Sequence, residues 1–255
     1  MNAYDRVKET RAKGRMTAEG YISGLVQDFI EMHGDRRFGD DRAIIAGIGR
    51  IAGRPVTVVG IEKGQDTQDK VKRSFGSAHP EGYRKALRQF LLAEKFGRPV
   101  LCIVDTAGAF CGIDAEERGQ GQAIAENLEV LMGLKVPVLS VVIGEGGSGG
   151  ALALAVADRV WMLENAYYSV ISPEGAASIL WKDAGRAADA AQCLKLTSED
   201  LMAFGVIEKI IPEPGALVAL EKALPEEIER LARMDGAQRL AQRYEKFRKI
   251  GGGFQ

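Results

Sequence analysis

The sequence predicts an α/β fold whose sheet is covered by helices on both faces. Two strand-like runs, Pro99–Val104 and Val136–Ile143, are apolar apart from Ser140, which is typical of strands that are buried on both faces. Each run is followed by a glycine-containing turn and then by a helical pattern. Because no long linker divides the 255 residues, we expect one domain over 1–255.

The N-terminal segment has the periodicity of a helix. Thr17–His33 carries apolar residues at helical spacing, and Thr17 can serve as the N-cap. Met1–Arg15 is polar and charged, so we expect it at the periphery. Together these patterns predict a helical arm over residues 1–40.

The rest of the chain continues the alternation. Ser172-Pro173-Glu174 predicts a helix start, because proline suits the first helical position and an acid suits the first turn. Residues 216–255 predict a charged helical tail, broken at Pro225 and Gly236. The predicted strands are Ala43–Ile51, Pro55–Ile61, Pro99–Val104, Val136–Ile143, Val160–Leu163, Tyr168–Ile171 and Gly205–Ile211, and the predicted internal helices are Glu81–Phe96, Ala115–Leu134 and a short one after Gly150.

Composition excludes several classes of protein. With 34 Lys+Arg against 35 Asp+Glu, nucleic-acid binding is not expected, although Lys63–Arg73 forms a local basic stretch. The three cysteines have no zinc-ligand spacing, so we expect no metal in this chain, and their scarcity favours the cytoplasm. No apolar run is long enough for a membrane span. The chain has 31 glycines and only two histidines.

The glycines concentrate at Gly144–Gly150, and two familiar motifs compete for this segment. Gly144, Gly146 and Gly149 satisfy G-x-G-x-x-G, with Glu164 at the spacing of a ribose-binding acid. Ser148 lies in a G-x-S-x-G sequence typical of serine hydrolases, but no histidine follows it in the chain to act as the base. Neither motif is therefore sufficient for an assignment.

A third interpretation needs only backbone. The N–H groups of the glycine loop could stabilise an oxyanion, and Thr106-Ala107-Gly108-Ala109 could supply a further donor. The alternative is that the glycines only allow close packing of helix and strand, as in a non-catalytic assembly subunit.

Several long motifs, in order over residues 17–214, resemble a known family. They are Glu62-Lys63-Gly64-Gln65, Ser74-Phe75-Gly76, Pro80 to Arg88, Gly112 through Glu116 to Gln120, Val142 to Ala153, Tyr168 to Gly175 and Ile210 to Pro214. The chain is similar to the alpha-subunit family of the carboxyltransferase of bacterial acetyl-coenzyme A carboxylase.

The resemblance implies a crotonase-like (ClpP/crotonase) spiral of repeated ββα units, forming a single carboxyltransferase domain. It implies transfer of a carboxyl group from carboxybiotin, on a biotin carboxyl carrier protein, to acetyl-CoA for fatty acid biosynthesis. The implied partners are a zinc-carrying beta subunit in an α2β2 complex and an ATP-dependent biotin carboxylase. Another biotin-dependent acyl-CoA carboxylase or decarboxylase remains the alternative.

The resemblance also implies roles for individual residues. The amides of Gly149 and Gly150 would hold the biotin oxyanion, with Gly108 and Ala109 in the same cleft. Gly146, Gly147, Ser148 and Phe110 would line that cleft. The family more often has Asp-Thr-Pro-Gly-Ala-Tyr-Pro-Gly where this chain has residues 105–112, so two prolines and a tyrosine hydroxyl are missing.

Overall fold

One mixed sheet organises the computed structural model, which describes residues 1–252. The strands are β1 (Gln27–Glu31), β2 (Ile44–Ile51), β3 (Arg54–Ile61), β4 (Val100–Thr106), β5 (Val138–Gly147), β6 (Arg159–Leu163), β7 (Tyr167–Ser169) and β8 (Lys209–Ile211). Their order is β1-β2-β3-β4-β5-β6-β8, and β7 pairs with the far end of β5. Strands β1 to β3 are antiparallel, whereas β3 to β6 and β8 run parallel.

Helices follow most of the parallel strands. They are α1 (Ala3–Thr10), α2 (Ala18–Leu25), α3 (Thr67–Lys72), α4 (Pro80–Lys95), α5 (Ile113–Glu117), α6 (Gln120–Gly133), α7 (Ser148–Ala155), α8 (Pro173–Trp181), α9 (Ala187–Leu194), α10 (Ser198–Ala203), α11 (Ala216–Ala232) and α12 (Gly236–Lys249). Every residue of β4 and of β5 is buried, as predicted for strands covered on both faces.

The predicted strand pair is a two-residue hairpin. Strands β2 and β3 pair along their whole length, and Ala52 and Gly53 connect them with φ of 48° and 78°. Positive φ at both turn positions matches the twist of the strands. The helix start at Ser172 is also confirmed, because its hydroxyl accepts a hydrogen bond from the Gly175 amide at 3.1 Å.

The predicted helix Thr17–His33 is wrong in its second half. Helix α2 ends at Leu25, and β1 then pairs with the edge of β2. Phe29 lies against Gly47 of β2, where a Cβ would come within 2.9 Å of the ring. Phe29 of β1 thus packs against a neighbouring strand, and the helical spacing of apolar residues in the sequence does not reveal this contact.

Three further boundaries differ from prediction. The predicted helix Ala115–Leu134 is two helices, because Gly119 adopts a left-handed conformation with φ of 81°. The predicted strand Gly205–Ile211 shrinks to β8. The C-terminal tail passes through Pro225 as one helix and breaks just before Gly236, with Asp235 as the N-cap of α12. Residues 253–255 of that predicted tail lie outside the described residues.

The last helix is anchored in the core. The guanidinium of Arg243, 1% exposed, bonds both carboxylate oxygens of Asp158, at 2.9 and 2.8 Å. Asp158 also accepts from the amide of Val138 at 2.8 Å, at the start of β5. Helix α12 therefore fixes the amino end of the strand whose carboxyl end carries the glycine loop. In residues 1–252 no helix is long and apolar enough to cross a membrane.

Candidate active site

The two predicted amide-bearing loops follow adjacent parallel strands. Residues 107–110 follow β4, and the glycine segment forms the end of β5 and the start of α7. The pairing of these strands steps from Val104–Val142 to Thr106–Gly146, so β5 bulges over the intervening stretch. The bulge shifts the end of β5 relative to β4 and brings the two loops together.

Asp105 occupies this bulge. Its Oδ1 accepts a hydrogen bond from the Glu145 amide at 2.8 Å. A Cβ at Gly144 would clash with the same carboxylate. Gly144 is therefore required by packing and belongs to the strand, not to a turn.

The loops touch at Gly147 and Gly150. A Cβ at Gly147 would clash with the Ala107 carbonyl, and one at Gly150 would lie 2.5 Å from the Ala109 nitrogen and 2.8 Å from the hydroxyl of Tyr83. The structure thus brings together the predicted Gly147, Gly150, Gly108 and Ala109. It places Gly146 against Tyr167 and Tyr168 on β7, so that this glycine also serves packing.

The first turn of α7 offers unpaired amides. Ser148 has a φ of 53°, and Gly147 at the N-cap provides no side chain to accept from the amides that follow. The first N–H groups of a helix have no acceptor within it. Gly149 and Gly150 therefore present donors at the junction of the two loops, where the helix dipole also favours negative charge.

Gly149 differs from the neighbouring glycines. The nearest atom to a Cβ at this position would be Ile124 Cγ2 at 3.6 Å, an ordinary contact. Internal packing therefore explains Gly144, Gly146, Gly147 and Gly150, but it does not explain Gly149. The missing side chain there leaves room for a group from outside the chain.

In the β4 loop the amide of Gly108 already has an acceptor. It donates to Thr106 Oγ1 at 3.0 Å, and that hydroxyl donates to the Gly108 carbonyl at 2.9 Å. This leaves the neighbouring Ala109 as the better candidate donor from this loop. Phe110 closes the loop by stacking on His79, with ring centroids 4.0 Å apart.

His79 forms the N-cap of α4 and pairs with Asp41 at 3.7 Å. The hydrogen bond to Asp41 raises the pKa of His79 above its ordinary value, although burial opposes this. The side chain of Gln120 holds the Phe110 carbonyl at 2.8 Å. The loop is thus braced even without the two prolines that are common in the family.

An ionic cluster lies beneath the loops and was missed by sequence reasoning. Lys63 from the end of β3 pairs with Asp105 at 2.8 Å and with Glu145. Glu145 also accepts from Arg11 at 2.8 Å and from the hydroxyl of Tyr167 at 2.9 Å. The signal in the sequence was that Asp105 and Glu145 both stand just before glycine turns.

Burial and charge oppose each other in this cluster. Burial alone would raise the pKa of Glu145, but Lys63 and Arg11 hold it below its ordinary value. Burial would lower the pKa of Lys63, but Asp105 and Glu145 raise it. Glu145 and Lys63 are therefore both charged at neutral pH. Lys63, the first residue of the local basic stretch Lys63–Arg73, thus lies inside the protein, with its side chain 15% exposed.

Two cavities flank the loops. One of about 340 Å³ is mostly apolar and has Ser148 and Gly149 at its rim, with Leu152, Tyr168 and Phe247 among its walls. The other, of about 510 Å³, lies on the side of the N-terminal arm and reaches Ala107 and Lys63. Among residues 1–252 no group of histidine, cysteine and carboxylate side chains could hold a metal ion.

The geometry argues against the two rival motifs. Gly144 and Gly146 lie inside β5, so G-x-G-x-x-G does not form the single strand-to-helix turn that cradles a dinucleotide. Ser148 is exposed at the strand-to-helix junction, yet within residues 1–252 it has no hydrogen bond to a histidine.

Two solved structures with a similar fold are a transcarboxylase and a subunit of an acyl-CoA carboxylase. The chain superposes on transcarboxylase 12S with a TM-score of 0.72 and 20% identity, covering 88% of this chain and 43% of that one. It matches the beta subunit of geranyl-CoA carboxylase from P. aeruginosa with a TM-score of 0.67 and 18% identity, covering 84% of this chain and 41% of that one. This chain thus spans less than half of either. The fold is the crotonase-like fold of carboxyltransferases.

Sequence relatives specify the family. The profile of the "Acetyl co-enzyme A carboxylase carboxyltransferase-like" family matches residues 1–251. Proteins named acetyl-coenzyme A carboxylase carboxyl transferase subunit alpha are similar over nearly full length. That of Ruminiclostridium cellulolyticum is 57% identical over 98% of both chains, and that of Streptococcus sanguinis is 54% identical over 95% of this chain and 97% of its own. The chain belongs to the acetyl-coenzyme A carboxylase carboxyltransferase family.

Proposed function

We propose that this chain is the alpha subunit of a carboxyltransferase that moves a carboxyl group from carboxybiotin to acetyl-CoA and forms malonyl-CoA for fatty acid biosynthesis. The observation that carries the proposal is Gly149. In a chain of this family, Gly149 lies at the rim of an apolar cavity with no tight internal contact at its Cβ position, and Gly150 follows it in the first turn of α7. The cavity suits the fused rings of biotin, and the amides suit an oxygen that gains negative charge.

The co-substrate supplies the base in this proposal. Loss of CO2 from carboxybiotin would leave a ureido anion that takes the α-proton of the thioester, and the resulting enolate would attack the CO2 to form the new C–C bond. The chain's own residues would bind and orient the ring and stabilise its oxygen. Oxyanion donors of this kind typically contribute several kcal/mol. Such chemistry needs no histidine base, in keeping with a chain that has only two histidines.

Gly149 and Gly150 are the proposed donors to the biotin oxygen, with Ala109 as a third from the facing loop. Gly108 is assigned a place in the turn, because its amide is bound by Thr106. Gly146 and Gly147 shape the cleft, Ser148 forms its rim, and Phe110 supports it by stacking on His79.

The proposal includes partners. A beta subunit carrying zinc would complete the acyl-CoA site in an α2β2 heterotetramer, and a biotin carboxyl carrier protein would present biotin charged by an ATP-dependent biotin carboxylase. Exposed apolar side chains such as Val170, Ile179 and Leu180 support a subunit contact near β7 and α8. The free thiols of Cys102, Cys111 and Cys193 support a cytoplasmic location.

Reconstitution tests the proposal. The purified chain is mixed with the beta subunit, and transfer is followed in reverse as biotin-dependent formation of acetyl-CoA from malonyl-CoA. Activity should require both subunits. Comparison of malonyl-CoA with longer and branched acyl-CoA substrates decides between this activity and another biotin-dependent carboxylase or decarboxylase. Full activity of the chain alone would contradict the two-subunit proposal.

A further inference from the structure

The ionic cluster below the loops has no role in the proposed chemistry, yet it joins the ends of three adjacent strands. Lys63 follows β3, Asp105 lies on β4 and Glu145 lies on β5. The side chains of these residues are 15%, 10% and 6% exposed. Carboxyl ends of parallel strands meet at one edge of a sheet, and in this fold that edge carries both amide-bearing loops.

We propose that Lys63 is a positioning residue for carboxyl transfer, whose ammonium holds Asp105 and Glu145 together and so sets the distance between the Ala109 and Gly149–Gly150 amides. This inference rests on the proposed function above. Lys63 touches no reacting atom in the proposal, because it acts through the carboxylates below the loops.

The first step of the argument is the bulge in β5. Asp105 Oδ1 accepts both from the Glu145 amide, at 2.8 Å, and from Lys63, at 2.8 Å. The carboxylate thus substitutes for a strand partner where the pairing shifts between Val104 and Thr106. The shift decides which glycines of β5 face the Ala107–Ala109 loop.

The second step is the repulsion that Lys63 removes. Two buried carboxylates that share one cation repel each other strongly once the cation is lost. Arg11 and Tyr167 hold Glu145 from the other side, and Arg11 is also paired with Glu174 at 2.7 Å. Glu145 therefore keeps its place without Lys63, and Asp105 is the carboxylate that must leave the bulge.

The third step links the bulge to the amides. Thr106, directly after Asp105, holds the Gly108 backbone through its hydroxyl. The Ala109 nitrogen packs against Gly150 so closely that a Cβ there would lie 2.5 Å away. A movement of Asp105 therefore changes the spacing of the donors while the acyl-CoA site, placed in the partner by the proposal, stays intact.

The test compares Lys63→Met and Lys63→Arg in the reconstituted αβ complex, with free biotin and malonyl-CoA as the substrates. We expect Lys63→Met to lower kcat by about 10²-fold, since small misplacements of catalytic donors have effects of this size. The KM for malonyl-CoA should change by less than about twofold, and Lys63→Arg should recover much of kcat because it retains the charge.

Arg243→Met is the matched control. It removes another buried cation, this one on α12, whose partner Asp158 accepts from the Val138 amide at the amino end of β5. If Lys63 only stabilised the fold, Lys63→Met and Arg243→Met would behave in the same way: both would lose stability and both would keep the wild-type kcat. A wild-type kcat in the assembled Lys63→Met complex would overturn the proposal, as would an equal loss of kcat in Arg243→Met.

Amide hydrogen exchange of the isolated chain gives a second readout that needs no activity. Lys63→Met should speed exchange at 106–110 and 145–150 and leave α11 and α12 unchanged. If the wild-type complex transfers no carboxyl group, the proposed function fails, and this exchange pattern still decides whether Lys63 positions the loops. If Lys63→Met does not fold, Asp105→Asn takes its place. This variant keeps the shape of the side chain that occupies the bulge of β5 but weakens its bond to Lys63, and we expect the same exchange pattern.

Discussion

Replacing Gly149 by alanine separates packing from ligand binding at the candidate site. A methyl group at this position meets only Ile124 Cγ2 at 3.6 Å, so the folded chain can accept it without rearrangement. In the proposed function, however, that methyl group stands where the biotin oxygen approaches the amides of Gly149 and Gly150. We therefore expect a folded and assembled protein with little activity.

Gly149→Ala should change stability and activity in opposite directions. Alanine in a helix is more stable than glycine by about 0.5–1 kcal/mol, so the melting temperature should stay the same or rise by about 2–4 °C for a chain of this size. Loss of one oxyanion donor typically lowers kcat by about 10²- to 10³-fold, which corresponds to about 2.7–4 kcal/mol. A drop in activity without a drop in stability is the expected signature.

The assay is the malonyl-CoA to acetyl-CoA reaction of the αβ complex, with subunit assembly checked by gel filtration and melting by calorimetry. Gly133→Ala, at the end of α6, is the control, because a Cβ there meets no other atom within 4 Å and so does not disturb packing. It should keep full turnover. Gly150→Ala should instead lower stability, because its Cβ would lie 2.5 Å from the Ala109 nitrogen. Wild-type turnover in Gly149→Ala would refute the assignment of these amides to the biotin oxygen.

Three other predictions test the framework of the fold. Burial would raise the pKa of Asp35, but the amides of Arg37, Phe38 and Gly39 and the guanidinium of Arg84 lower it to about 2. A lowered pKa contributes stability above the unfolded value of 3.8 that is lost as pH falls towards 2, so Asp35→Asn should cost about 2 kcal/mol in urea unfolding at pH 7, with the gap from wild type narrowing below pH 4. A constant gap would contradict this. Tyr83→Phe should raise stability by about 1 kcal/mol at unchanged kcat, because within residues 1–252 this buried hydroxyl has no hydrogen-bond partner; a fall in kcat would show instead that the hydroxyl serves the neighbouring amides. Ser172→Ala should cost about 1 kcal/mol in thermal unfolding by removing the cap of α8, and Ser172→Asp should not.

Local patterns predicted much of the architecture. Mostly apolar runs predicted β4 and β5 as strands covered on both faces, and the turn residues between two further runs predicted the pairing of β2 with β3. The prediction of one helix over Thr17–His33 was wrong in its second half, because the helical spacing of apolar residues does not reveal that Gln27–Glu31 pairs with the edge of β2. Pairing with a distant strand overrode the local preference there.

At the candidate site, too, local sequence patterns predicted one part and contacts between distant residues decided the rest. The motifs identified the family, and the glycine segment with its facing loop was correctly singled out as one place in the structure. The sequence could not show which of these glycines packing requires, because that depends on their neighbours in the fold. A Cβ at Gly144 or Gly147 would clash with Asp105 or Ala107, whereas one at Gly149 would make only an ordinary contact with Ile124.

By itself the sequence determined the alternation of the central strands and helices, the family and the two loops that bear amides, because these depend on residue types at short spacing. Only the tertiary structure decided that Lys63, Asp105 and Glu145 form one buried cluster, that the amide of Gly108 is already bound, and that Gly149 is open. The cluster depends on the bulge that offsets β5 from β4, and the register between two strands is set by side chains that are far apart in the chain.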